Sequence, residues 1–394
     1  MQTIYITTPG IQLQKAGDTV IARKDGDTYH TIFPFRTEQV VLFGGVEMTR
    51  SAINFFLHHE IPVIFLSQNG RYNGQLVPPI GKNVFLRLQQ YTKHGDAAFH
   101  LKLARDIVAG KIQNQMVIVK RIERFQKRDL LEAGRGLKTL LDRVPTEDNI
   151  ESLRGLEGMA SKIYFSVFDK GFIKPQGFKK RVRRPPTDPV NALLSLLYTF
   201  LFYRVDNVLQ KRGLDPYFGH LHALTYGRRS LALDLVEEFR PVVADTLVFS
   251  LFNMNIINRA DFTFAESGDD DQPPQDTPKK NEPQEPDVMA DPMGGFNEKE
   301  FFVPAVYSTD VEEAGITSLD NDGHTVGSVA RPVILMQTAL QKVIKQFEHK
   351  LDTTFNNEMT GASTTYRRVF DEQAAQYIEV LRGEREHYQP LVLR

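Results

Sequence analysis

Apolar residues alternate with polar ones over the first 80 positions, with Ile4 and Ile6 set against Thr3, Tyr5 and Thr7, followed by Ile11 and Leu13. That two-residue period belongs to half-buried strands. Turn dipeptides punctuate it at Pro9-Gly10, Asp25-Gly26 and Asn69-Gly70. The last lies between IPVIFLS and RYNGQLV, as a hairpin turn should. A single helix is predicted to interrupt the strands from about Thr49 to His59, and His58, His59 and Glu60 then fall at its end, where capping is the expected role. Pro78-Pro79 and Gly81 close the pattern and predict a hinge over 81–90.

From Asn83 onward the spacing changes to threes and fours, as in NVFLRLQQY, AAFHLKLARDIVAGKI and DPVNALLSLLYTFLFYRVDNVLQ. The second domain, 91–394, is therefore expected to be almost all helix, giving an α+β chain overall. Between Glu266 and Glu300 apolar residues give way to Pro, Asp, Gln and Lys, a composition that offers no core to offset ordering entropy. That stretch reads as a disordered insertion. Helical spacing resumes in PVILMQTALQKVIKQFEHKL and TYRRVFDEQAAQYIEVLRGE, and no internal repeat is evident.

Composition narrows the chemistry. The chain has 394 residues and no cysteine, which excludes disulfides, thiolate nucleophiles and zinc ribbons, so a metal would have to sit on His, Asp or Glu. The start MQTIYITTPG does not read as a secretory signal, and the longest apolar stretch, Val190 to Tyr203, is interrupted by Asn191, Ser195 and Thr199. A soluble cytoplasmic protein is expected. The formal charge of −1 hides an asymmetry, because residues 266–300 hold eleven acids against three lysines and leave the remainder at +7. A moderately basic body able to meet phosphates thus carries an acidic tether. The tether either competes with DNA for a basic groove or is simply a solvated loop.

The richest stretch is GLDPYFGHLHALTYGRRSLALDLVEEFRP. It sets His222 in a loop of Gly and aromatic residues and opens a helix with Ser230 at its expected N-cap. On that helix Asp234 shares a face with Glu237 or Glu238. Carboxylates beside an imidazole suit Mg²⁺ or Mn²⁺, although acids at this spacing are also ordinary solvated surface. A second helix, GLEGMASKIYF, carries Glu157 between Gly155 and Gly158. Two glycines there cost helix propensity, about 1 kcal/mol each, and suggest a close approach. Two carboxylates and one imidazole would be sufficient protein ligands for a hard cation that keeps open positions.

LRGLEGMASKIYF, RRPPTDPVNALLSLLYTFL and DPYFGHLHALTYGRRSLALDLVEEFRP together resemble the CRISPR-associated spacer integrase family, the adaptation endonucleases, in order and in spacing. The similarity runs from the IPVIFLSQNGRYNG hairpin to the terminal YQPLV. It implies a β-sandwich-like N-terminal domain over 1–80 and a helical catalytic domain. It also implies a divalent metal, Mg²⁺ or Mn²⁺, on Glu157, His222 and Glu237. Family members often have Asp at the place of Glu237, which leaves Asp234 as an alternative or additional ligand; His220 has the expectation of a plain loop residue. The implied activity is cutting DNA and joining the 3′ ends of a captured fragment to a repeat by transesterification. The implied assembly is a homodimer beside a smaller adaptation subunit, on double-stranded DNA.

Arg240, one turn past Glu237, is a further expected charge stabiliser, with a structural salt bridge as the alternative. KPQGFKKRVRRPP presents Lys174, Lys179, Lys180, Arg181, Arg183 and Arg184 with no acid among residues 174–184. An extended cationic loop of this kind holds phosphates without reading sequence. Of these, Lys179, Lys180, Arg181, Arg183 and Arg184 are expected to bind DNA, although Arg183 and Arg184 could instead pin the helix that begins near Asp188. Two rival readings remain: a non-catalytic dimeric DNA-binding scaffold, and a metallohydrolase of small phosphoesters, which would need a concave pocket in place of a basic surface.

Overall fold

The computed structural model describes residues 2–79, 83–182, 185–264, 332–357 and 361–393. The acidic segment expected to be disordered, 266–300, lies outside them, as do Gly81, Arg183 and Arg184.

The alternating segment folds into two four-stranded sheets. Its strands are β1 (Gln2–Ile6), β2 (Gln12–Ala16), β3 (Thr19–Lys24), β4 (Asp27–Ile32), β5 (Thr37–Phe43), β6 (Glu47–Met48), β7 (Val63–Leu66) and β8 (Tyr72–Leu76), with helix α1 (Arg50–His58) between β6 and β7. One sheet has the order β1-β5-β7-β8 and the other β4-β3-β2-β6. In the first, β1, β5 and β7 are parallel, and α1 lies on the crossover from β5 to β7 that parallel neighbours require. The Thr49 hydroxyl accepts from the Ala52 N–H and caps α1 where the spacing predicts its start. The Asn69-Gly70 turn joins antiparallel β7 and β8. Gly70 needs its positive φ of 82°, and a Cβ there would stand 2.6 Å from Leu196 Cδ1.

The period of two then settles which side of each strand goes where. Val40 and Leu42 of β5 face a core shared with Ile4, Ile6, Leu13, Val20 and Phe56, between the two sheets and α1. Val41 and Phe43, pointing the other way, enter the helical core together with Ile64 and Leu66. The first sheet is therefore buried on both faces, as the sandwich-like expectation requires on one side and docking to the helices on the other.

The helices are α2 (Val84–His94), α3 (Ala97–Gln126), α4 (Leu131–Arg143), α5 (Ile150–Ser166), α6 (Pro189–Lys211), α7 (Ser230–Val236), α8 (Thr246–Asn253), α9 (Gln337–Asp352) and α10 (Tyr366–Arg382). Two short antiparallel pairs lie among them: β9 (Phe262–Phe264) with β10 (Val333–Leu335), and β11 (Thr354–Asn357) with β12 (Ala362–Thr365). At three or four residues each, these strands are too short to register as alternation. The 30-residue α3 is packed by α4 on one part of its length and α5 on another. The 23-residue α6 is apolar and long enough to cross a membrane by length and composition, and 78% of its most apolar window is buried within this fold. It meets the first sheet, with Phe200 5.7 Å from the Tyr5 ring and Tyr203 stacked on Tyr72 at 4.8 Å.

Phe43 is the side chain on which this docking can be measured, being 2% exposed and edge-on to Phe200. Phe43→Ala should lower unfolding free energy by about 3–5 kcal/mol, seen as a lower urea midpoint. Sheet and helix signals should shift together, because the residue belongs to the core that joins them.

Candidate active site

Glu157, on α5, and Glu237, just past α7, are 8% and 1% exposed. Like charges buried this close need a cation between them. Lys111 supplies it from the middle of α3, 5% exposed, with its ammonium hydrogen-bonded to Glu157 Oε1 and 2.5 Å from Glu237 Oε2. Ser161 Oγ, one turn along α5, donates to Glu157 Oε1 at 2.9 Å. Arg240 Nη1 pairs with Glu237 Oε1 at 2.8 Å. Burial by itself would push the Glu237 carboxyl upward. Arg240 first, then Lys111 and His222, outweigh it and hold the group well below the usual carboxylate range.

The loop that brings His222 to this place is built around Asp234. Asp234 Oδ1 accepts from the His222 N–H at 2.9 Å and from His222 Nδ1 at 2.7 Å. Its Oδ2 accepts from the backbone N–H groups of His220 and Leu221. Four acceptor positions are thereby filled, so Asp234 holds the loop and has none left for a cation. The proton on His222 is directed to Nδ1, which turns Nε2 into the acceptor. Arg154, three residues before Glu157, donates through Nε to Leu221 O at 2.6 Å and ties the loop to α5. Gly219 is required by contact, since a Cβ there would lie 2.5 Å from the Ser230 carbonyl carbon. Ser230 does not cap α7; its Oγ donates to Ala223 O at 2.8 Å, closing the same loop. Arg229 beside it is buried and ion-paired with Asp206 of α6.

Consecutive acids on this helix part company. Glu238 points away from Glu237 and accepts from Tyr388, Gln373 and the Leu391 N–H, clamping the C-terminal segment. Asn114 adds bonds to Glu238 O at 3.0 Å and Leu391 O at 2.7 Å. After Arg240 the chain runs as a π-helical stretch to Asp245, with Pro241 in its first turn. Asp245 receives the hydroxyls of Tyr164 at 2.8 Å and Tyr198 at 2.7 Å. Burial pushes its carboxyl up to about 6, against the pull of Tyr198, Tyr164, Arg181 and Lys111.

Several expectations change. Among the described residues, no three His, Asp or Glu side chains converge closely enough to hold a metal ion, because the Lys111 ammonium takes the gap between the two glutamates. The donor set still fits a hard divalent cation: two ionisable carboxylates and an imidazole Nε2, with Glu237 Oε2 held only by the Lys111 ammonium. The close approach expected at Gly155 and Gly158 is absent, for an added Cβ at either meets nothing within 4 Å. Arg181 is half-buried. Its guanidinium is turned onto α6, donating to Asn191 Oδ1 and Ser195 Oγ at 3.0 Å each and lying over the Tyr198 ring, so Arg181 is a residue that pins this helix. Lys174, Lys179 and Lys180 stand exposed. Arg240 is 5% exposed and forms the salt bridge that was its alternative role. Lys111, Ser161 and Asp245 were not anticipated. For Lys111 the signal was present: it is a lysine on the apolar stripe of Ala104, Ile107, Val108 and Ile118.

An α+β architecture whose helical half buries an acid, imidazole and lysine centre narrows the protein to a class, and sequence comparison narrows it to a family. The family described as "CRISPR associated protein Cas1" matches residues 4–269, and the chain belongs to it. A protein of Thermodesulfovibrio yellowstonii named CRISPR-associated endonuclease Cas1 1 is 37% identical over 270 residues, which is 66% of this chain and 83% of that protein. The fold is also that of a casposase bound to integration product, at a TM-score of 0.74 and 18% identity, covering 100% of this chain and 95% of that one. A Cas6-RT-Cas1–Cas2 complex chain gives a TM-score of 0.74 at 22% identity, with 100% of this chain matched to 36% of that one.

Glu238 makes a pH test of the helix that carries Glu237. Burial raises its carboxyl from near 4.5 to about 8, against Tyr388, Leu391 and Gln373. A raised folded value means that the stabilisation is complete below pH 4.5 and is lost as pH climbs through 8. Melting temperature should fall between pH 5 and 9, and a Glu238→Gln chain should lose less over the same range, the difference being on the order of a few kcal/mol. Parallel pH curves for the two proteins would place the titration elsewhere.

Proposed function

We propose that the chain is a divalent-metal-dependent DNA endonuclease and integrase of the CRISPR adaptation stage, cutting DNA and joining 3′ ends to a repeat by transesterification. The observation that carries this reading is the pair of buried carboxylates, Glu157 and Glu237, with an imidazole whose Nδ1 is fixed by Asp234 on a loop that Arg154 ties to α5. Glu157, Glu237 and His222 Nε2 would hold Mg²⁺ or Mn²⁺. When bound, the ion supplies Lewis acidity toward a phosphodiester and lowers the pKa of a coordinated water or hydroxyl. The chain does the rest. Asp234 keeps His222 in one tautomer, Ser161 and Arg240 fix the two glutamates, and the Arg240 charge lies where extra negative charge on a phosphate is stabilised.

Membership of the Cas1 family supports the nuclease reading, since the T. yellowstonii relative carries the name of an endonuclease. The proteins of similar fold, a casposase bound to integration product and a Cas6-RT-Cas1–Cas2 complex, support DNA and a Cas2-type subunit as partners. Exposed Lys179 and Lys180 give phosphate contacts beside α6. We propose further that the protein works as a homodimer in the cytoplasm. A DNA scaffold would use the ion pairs of Glu157 and Glu237 only to join helices, and would leave the His222 imidazole oriented by Asp234 without a role.

Purified protein with labelled linear DNA and Mn²⁺ or Mg²⁺ tests this directly. Cleavage and strand-transfer products should fall by about 10²–10³-fold in Glu157→Ala, His222→Ala and Glu237→Ala, with DNA affinity kept. Binding without products, even with the small companion subunit, would mark a scaffold. In the same assay Lys179→Gln/Lys180→Gln should weaken binding and reduce the slope of log affinity against log salt by about 2, without changing sequence preference.

A further inference from the structure

The Lys111 ammonium lies between Glu157 and Glu237, where a divalent ion would bind, and Arg240 pairs with the other oxygen of Glu237. Ion and side-chain cation would compete for the same carboxylate oxygens, so Lys111 or Arg240 must give way.

Arg240 is poorly placed to leave. It is 5% exposed, bridged to Glu237 and laid over the Tyr198 ring at 5.0 Å. Lys111 differs in kind, being a point charge on a flexible four-carbon stem. Its ammonium is shared between Glu157 Oε1 and Glu237 Oε2, the latter at 2.5 Å. The π-helical stretch that ends at Asp245 packs against α3, and its buried carboxylate, for which the reaction proposed above has no use, feels the Lys111 charge. Tyr164 donates to one of its oxygens and Tyr198 to the other. One lone pair on each oxygen therefore remains for another donor.

We propose that Lys111 is a displaceable internal cation, which neutralises Glu157 and Glu237 in the metal-free protein and transfers its ammonium to Asp245 when a divalent ion takes the glutamate pair. The proposal rests on the metal reading of Glu157, His222 and Glu237. It makes Lys111 and Asp245 joint determinants of ion affinity, although neither touches the ion. Charge is conserved along the way: the ammonium exchanges one carboxylate partner for another, and no proton has to be lost.

The test is Mn²⁺ binding to the full chain without DNA, read from the free Mn²⁺ signal in electron paramagnetic resonance. Lys111→Met removes the competitor and should tighten binding about tenfold, whereas Asp245→Asn removes the receiving carboxylate and should weaken it by a similar factor. In the double variant the Asp245 substitution should have no further effect, within about twofold, because no ammonium needs a place to go. Lys111→Arg keeps the charge and the fold, and should bind Mn²⁺ more weakly than wild type, since a guanidinium grips carboxylates through two parallel bonds. Simple addition of the two single effects overturns the proposal, because Asp245 then acts by its field alone. So does a Lys111→Arg chain that binds Mn²⁺ as tightly as wild type. Glu157→Gln separates the two levels: undiminished Mn²⁺ binding there overturns the metal reading itself, whatever Lys111 does.

Discussion

Two carboxylates withdrawn from water repel each other unless a positive charge lies between them, and the position of Lys111 answers that constraint for Glu157 and Glu237. The three residues come from α3, α5 and the end of α7, so one ammonium fixes the relative setting of three segments. Removing it would leave an uncompensated pair in a medium where breaking a buried ion pair costs about 3–5 kcal/mol. The surrounding core answers the same constraint. Leu103, Ile107, Ile112 and Leu156, apolar and nearly fully buried, keep water from screening the pair. The long α3 carries the lysine on its inward stripe because no shorter side chain would span the distance with a charge at its tip.

The turn of chain after His222 shows how adjacent acids acquire separate duties. Successive residues on an α-helix are rotated by about 100°, so the adjacent Glu237 and Glu238 point apart. Asp234 faces back to the loop and orients the imidazole, Glu237 faces Lys111, and Glu238 holds the C-terminal segment through Tyr388 and Leu391. The widened turn from Arg240 to Asp245 then shifts the register. A π-helical turn carries an extra residue and re-aims the side chains beyond it, and such turns recur at functional sites. Here it sets Asp245 between Tyr164 and Tyr198 and keeps Arg240 on Glu237.

Much of this was legible in the sequence, and the reasons differ by element. Alternation was readable in β1, where Ile4 and Ile6 face the core between the sheets while Tyr5 turns to the helical core, and the Asn69-Gly70 turn because glycine alone takes its φ beside Leu196. Glu157, His222 and Glu237 stood out through the motifs that resemble the family, not through spacing, which favoured Asp234 and Glu238 equally. What spacing cannot give is the partner of a side chain. Asp234 looked like a ligand because acids near histidines do, yet its four acceptor positions belong to the loop. Arg181 looked like part of a cationic surface because its neighbours in sequence are cations, while its donors reach Asn191 and Ser195 ten and fourteen residues on. Lys111 was visible only as a charge on an apolar stripe, and a charge there means a buried counter-charge from elsewhere in the chain.

The direction of those cations carries a consequence for how a phosphate could be received. Lys111 and Arg240 are turned inward onto carboxylates, so neither adds appreciably to the outward field that steers DNA, a field left to exposed lysines such as Lys179 and Lys180. Capture and chemistry thus use different charges. The outer ones act over about a Debye length and weaken with salt, whereas the inner ones sit in a poorly screened interior and change only when their partners do. A phosphate arriving at the centre brings negative charge to the place where a divalent ion would add positive charge. On the proposed reading, ion and substrate attract each other there, before any specific contact between them is considered.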